Sequence, residues 1–190
     1  GINSATFSEC SSGSGGAIYY HDSGDPGTAL TITGSTFASI DGVTKDGGAI
    51  YNDEDTVSIT SSTCSGYRAQ NGGAIFNEAG TVTVAGSAFT DCAAEYGGAI
   101  FNNGDLDISD TTFLGCSATG HGGAIASMFN HDITVDSSVF SDCWASGAGG
   151  PIRRRRGSTV TATGTSFAGC GGPERDRIHY PTAGAKASHS

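Results

Sequence analysis

The sequence predicts an all-β fold: a right-handed single-stranded parallel β-helix, a solenoid of about six to seven coils. Three observations predict it. A glycine-rich phrase returns about every 25 residues, apolar positions alternate within each unit, and aligned units show columns of like residues. The phrase is GGAI or a near copy. It starts at Gly15, Gly47, Gly72, Gly97, Gly122 and, as GGPI, at Gly149, with spacings of 32, 25, 25, 25 and 27 residues.

The first element of each unit alternates apolar and polar residues, as in TVTV (81–84) and DLDI (105–108). A period of two is the strand period. Its inward positions form two columns: Leu30, Val57, Val82, Leu106, Ile133, Val160 and Ile32, Ile59, Val84, Ile108, Val135, Ala162. A hydroxyl column follows, Ser35, Ser62, Ser87, Thr111, Ser138 and Thr165, placed to satisfy turn amides at a corner. Next come Phe37, Cys64, Phe89, Phe113, Phe140 and Phe167, then Ile40, Tyr67, Cys92, Cys116, Cys143 and Cys170. Phe7 and Cys10 mark a partial first unit. The Gly-Gly pair supplies a positive φ at a corner or a close approach between coils. Asn52, Asn77 and Asn102 form a second polar column. No apolar stripe of helical period exceeds one turn, which excludes a leucine-rich repeat. Each unit therefore reads as about three short strands and three turns. Stacked about 4.8 Å apart, the units make a rod on the order of 30 Å long.

Residues 1–180 form the β-helix, with a partial first coil and an atypical basic last coil. Residues 181–190 are expected to be a flexible or partner-bound tail. Gly1 falls inside a repeat unit, as in a mature product or a piece of a longer solenoid. No apolar run reaches membrane-spanning length. The six cysteines lack zinc-type spacing and read as a stack of small buried hydrophobes.

Charge is segregated. Residues 1–150 hold Lys45 and Arg68 against 17 acids, a balance of −15; residues 151–190 hold seven bases against Glu174 and Asp176, a balance of +5. An acidic body excludes nucleic-acid binding along its length. The basic end, Arg153, Arg154, Arg155, Arg156, Arg175 and Arg177, fits an acidic partner, and four adjacent arginines break the regular strand.

If the isoleucines of GGAI face inward, Tyr19, Tyr51, Phe76 and Phe101 face outward as an apolar column. Such a column is expected to bind a protein partner or larger assembly, or to stack on sugar rings. Asp105, Asp132 and Asp136 on neighbouring coils are weak Ca²⁺ candidates, as is Asp53-Glu54-Asp55. The alternating Thr face, interrupted by Asp, is an ordinary strand surface with ice binding as its rival reading. Phosphate-loop, dinucleotide, GxSxG and HExxH motifs are absent from the sequence, and no cofactor is expected.

Gly47–Ile50, Gly72–Ile75, Gly97–Ile100 and Gly122–Ile125, followed by Phe89-Thr-Asp-Cys92, Phe113-Leu-Gly-Cys116 and Phe140-Ser-Asp-Cys143, resemble the repeats of polymorphic outer-membrane proteins. Those units carry GGA[ILV] and FxxN. The resemblance covers roughly residues 5–170. It implies a β-helical, adhesin-like passenger, extracellular or at a cell surface or in a lumen. Cys stands here where that family carries Asn, and no barrel follows within the 190 residues. The expected function is a non-catalytic structural or interaction solenoid. The alternatives are a carbohydrate-binding or carbohydrate-active β-helix and, second, an ice-binding protein.

Overall fold

The computed structural model describes residues 1–21, 29–39, 43–129, 131–155 and 157–173. Every strand pairing in it is parallel and joins one coil to the next. Each full coil holds four strands, not the three expected. In the coil at its centre they are Thr81–Ala85, Ala88–Thr90, Ala93–Tyr96 and Ile100–Asn102. Stacked, they give four sheets of seven, seven, five and six strands. The third strand escapes the sequence because segments such as RAQN and AAEY carry no apolar alternation. Backbone pairing with the coils above and below holds it as a strand.

The registers match the sequence columns. Val57, Val82 and Leu106 pair in line, as do Ile59, Val84 and Ile108, and Cys64, Phe89 and Phe113. Their side chains form one continuous core running the length of the coil stack. Phe89, Phe113, Phe140 and Phe167 stack face to face at 4.6–5.0 Å. Ile40 lies outside the described residues.

Two columns of polar groups inside the coil are bonded from coil to coil, whereas the buried Tyr67 hydroxyl and Asn52 Oδ1 have no hydrogen-bond partner among the described residues. At the first corner, each buried hydroxyl donates to the carbonyl two residues earlier and accepts the amide of its column neighbour. Ser87 donates to Ala85 O at 3.0 Å and accepts from Ser62 N at 3.1 Å. The bonds repeat from Ala5 to Thr165. The Asn column does the same at the fourth corner: Asn52 Nδ2 donates to Asn77 Oδ1 at 2.8 Å, and Asn77 Nδ2 to Asn102 Oδ1 at 2.7 Å.

The two glycines of the repeated phrase have separate tasks. The first is left-handed, with φ of 60° to 68° at Gly15, Gly47, Gly72, Gly97 and Gly122. The second is squeezed between coils. A Cβ on Gly73 would overlap the Gly98 carbonyl oxygen and lie 2.9 Å from the Ala93 backbone. Both readings of the pair hold, one per residue.

One coil exchanges large for small. Cys64 occupies the Phe column and Tyr67 the Cys column of the same coil, and both are buried side by side. The aromatic volume missing at 64 is supplied three residues later. Burial pushes the Cys64 thiol up to about 12. All six cysteines are free, with Cys10 and Cys170 half-buried and the rest buried.

Two stability measurements check this account. Ser87→Ala strands the Ser62 amide in a dry corner, while the Ala85 carbonyl keeps the Ser61 amide, so chemical denaturation is expected to show a loss of about 1–3 kcal/mol. Thr83→Ala, on the outer face, should stay within about 0.5 kcal/mol. For the exchanged pair, Cys64→Phe alone overpacks and Tyr67→Cys alone leaves a cavity, each costing about 1–4 kcal/mol. The double variant should recover about 1 kcal/mol or more relative to their sum; strict additivity would contradict the exchange.

Candidate functional site

Tyr19, Tyr51, Phe76 and Phe101 occupy one register position in the fourth sheet and point away from the main core. Their rings stack at 4.7, 5.1 and 5.2 Å with interplanar angles of 10° or less. The stack is not the open apolar column expected. Tyr51, Phe76 and Phe101 are 9%, 8% and 8% exposed, whereas Tyr19 is 55% exposed. Each inner ring covers its neighbours' faces. Tyr96, from the third sheet, and Met128, beyond the fourth, pack against the cluster. Below Phe101 the column continues as Ala126 and then Arg153.

At its upper end the stack meets charge. The Tyr19 hydroxyl donates to Asp53 Oδ2 at 3.3 Å, and His21 Nδ1 lies 2.8 Å from the same oxygen. Partial desolvation, then the Asp53 carboxylate, holds the Tyr19 phenol above the ordinary tyrosine value. Glu54 and Glu78 stand exposed at the same edge, the corner between the fourth and first sheets.

The basic end lies on that edge too. The strand Ile152–Arg153 keeps Ile152 buried and stops, as the arginine run predicted. Arg154 donates to Ser158 O at 2.9 Å and Arg155 to Met128 O at 3.2 Å. Among the described residues neither Arg154 nor Arg155 pairs with a carboxylate. Phe129 sits beside them, 51% exposed, its carbonyl accepting from the Ser158 hydroxyl at 2.7 Å. Arg156, Arg175, Arg177 and the tail at 181–190 lie outside the described residues.

A family model described as the right-handed β-helix region matches residues 1–167. The chain belongs to the right-handed β-helix family. Comparison with curated proteins and with solved structures gave no match. No helix among the described residues is long and apolar enough to cross a membrane.

On the first sheet of this β-helix the three candidate acids each contact a different group. Asp105 Oδ1 lies 3.4 Å from His131 Nδ1, and Asp132 Oδ1 accepts from the Thr159 amide at 2.7 Å. Asp136 accepts from the Ser137 hydroxyl at 3.2 Å. Among the described residues no three His, Cys, Asp or Glu side chains gather to hold a metal. The threonine array is broken at its centre, because Thr83 pairs with Asp107 in register. Phe129 and the shared edge were missed from sequence. Phe129 lies outside every column, and its only signal is an apolar residue in a polar corner segment.

The ladder's role is separable from its exposed end. Phe76→Ala should cost about 3–5 kcal/mol in thermal or denaturant unfolding, and Tyr19→Ala about 1 kcal/mol or less. Equal losses would mean that the inner rings are not the packed part.

Proposed function

We propose that this β-helix is a non-catalytic interaction scaffold that docks an acidic protein partner through its basic last coil. One observation carries the reading. Arg154 and Arg155 are exposed, tethered by backbone carbonyls and without a carboxylate partner among the described residues, on a body that is otherwise strongly acidic. Tethering lowers the entropy lost when these long side chains bind. Asp105, Asp132 and Asp136 support a non-catalytic role, since each is engaged with a different partner. The repeat's resemblance to polymorphic outer-membrane units supports a scaffold that works outside the cell, at its surface or in a lumen.

Fluorescence anisotropy with labelled polyglutamate tests it. Binding should weaken with salt and fall about tenfold or more in the Arg154→Glu/Arg155→Glu variant; equal binding by that variant would contradict it. A second reading rests on Tyr19, an exposed ring capping an aromatic stack beside a carboxylate. That arrangement suits a saccharide, and quenching of tyrosine emission by oligosaccharides, lost in Tyr19→Ala, would favour it.

A further inference from the structure

The corner between the fourth and first sheets carries a graded charge along a single edge of the rod. Coil by coil, after His21 of the first coil, its described residues include Asp53-Glu54-Asp55, then Glu78, then Asn103-Gly104, then Met128-Phe129 with His131-Asp132, then Arg154-Arg155. Glu54 and Glu78 are exposed at one end, Arg154 and Arg155 at the other. Each end also presents an exposed aromatic ring, Tyr19 beside Asp53 and Phe129 beside the arginine turn. Four coil spacings, about 19 Å, separate the two ends. That exceeds the reach of a flexible side chain and the screening length of about 10 Å at moderate salt. The two ends cannot neutralise each other within one molecule.

We propose that this edge is a self-association surface, on which two copies pair antiparallel about a two-fold axis. The proposal rests on the docking reading above and names its acidic partner as a second copy of this chain. Antiparallel pairing sets the acidic end of each copy against the basic end of the other, so both contacts form at once and the assembly closes at two. The level midway between Glu54 and Arg154 suits the axis. Asn103 and Gly104 are neutral and small there, and like charges would not meet across it. Glu78 comes level with His131 and Asp132 of the second copy, so Glu54 against Arg154 and Arg155 carries the attraction. Asp132 is occupied by the Thr159 amide, and His131 lies near Asp105. An aromatic ring flanked by arginine is the composition that concentrates binding energy at protein interfaces. Parallel pairing would set acid on acid and arginine on arginine, which discriminates between the two arrangements.

Sedimentation equilibrium at low ionic strength tests this directly. The protein should show a monomer–dimer equilibrium that stops at twice the chain mass and weakens as salt rises. Arg154→Glu/Arg155→Glu and, separately, Glu54→Arg should each weaken self-association about tenfold or more, roughly 1.4 kcal/mol, with unchanged circular dichroism. Mixing the two variants should restore a dimer, because each reversed end then meets its complement at both contacts. A monomer at every concentration, a mass that grows beyond two copies, or a mixture that fails to dimerise overturns the proposal. If the protein is monomeric yet still binds polyglutamate through Arg154 and Arg155, the self-pairing alone is wrong. If polyglutamate binding is also absent, the docking reading falls with it.

Discussion

Everything in this molecule depends on one constraint: each coil must satisfy its backbone on the coil before and the coil after, in register. Parallel pairing places like positions in line, so a choice made once is repeated at every level. Apolar columns become a core, and the Phe column becomes a face-to-face stack. Hydroxyls at the first corner and asparagines at the fourth become ladders of hydrogen bonds. The constraint also explains where variation is allowed. Cys64 and Tyr67 depart from their columns together, so the volume of that coil's core is retained. Asp91 and Gly115, successive in one corner column, show the same logic on the surface. A Cβ on Gly115 would collide with the Asp91 carboxylate.

The main columns were legible in the sequence because a strand period of two and a repeat of 25 residues fix both the facing and the partner of each side chain. Val82 over Leu106 and Ser62 over Ser87 needed nothing more. The third strand was not legible. Arg68–Asn71 and Ala93–Tyr96 are strands through pairing with neighbours, not through their own alternation. The burial of Phe76 and Phe101 was hidden for a related reason. Alternation correctly turned these rings away from the core, but Tyr96 and Met128 reach them from other parts of the coil. No rule confined to one strand contains that contact. The same limit applies to Asp132, whose partner is an amide 27 residues away.

The sharing of tasks between interior and surface bears on function. Buried columns are committed to stability, and the inner aromatic rings belong with them. The exposed surface consists of the outer sheet faces, with Val43, Leu114 and Trp144, and the outer corners, where chain length and composition vary between coils. One of these corners gathers acid, arginine and the exposed rings of Tyr19 and Phe129 along a single edge. Recognition by such an edge depends on the rod being straight and in register, since the spacing between its ends is set by the coil count. Membership in the right-handed β-helix family fixes this frame, and the corner residues give it a specific charge pattern.

The account therefore stands or falls on the stacking itself. Ser58, Thr83, Asp107, Thr134 and Thr161 occupy one outward column of the first sheet. Spin labels at Ser58 and Thr161, read by pulsed electron paramagnetic resonance in a magnetically dilute, high-salt sample, measure the column's length across four coil spacings. The stacking predicts a narrow distribution corresponding to a backbone separation of about 19 Å. A broad distribution, or one centred beyond about 30 Å once label length is allowed for, would contradict in-register stacking and the architecture built on it.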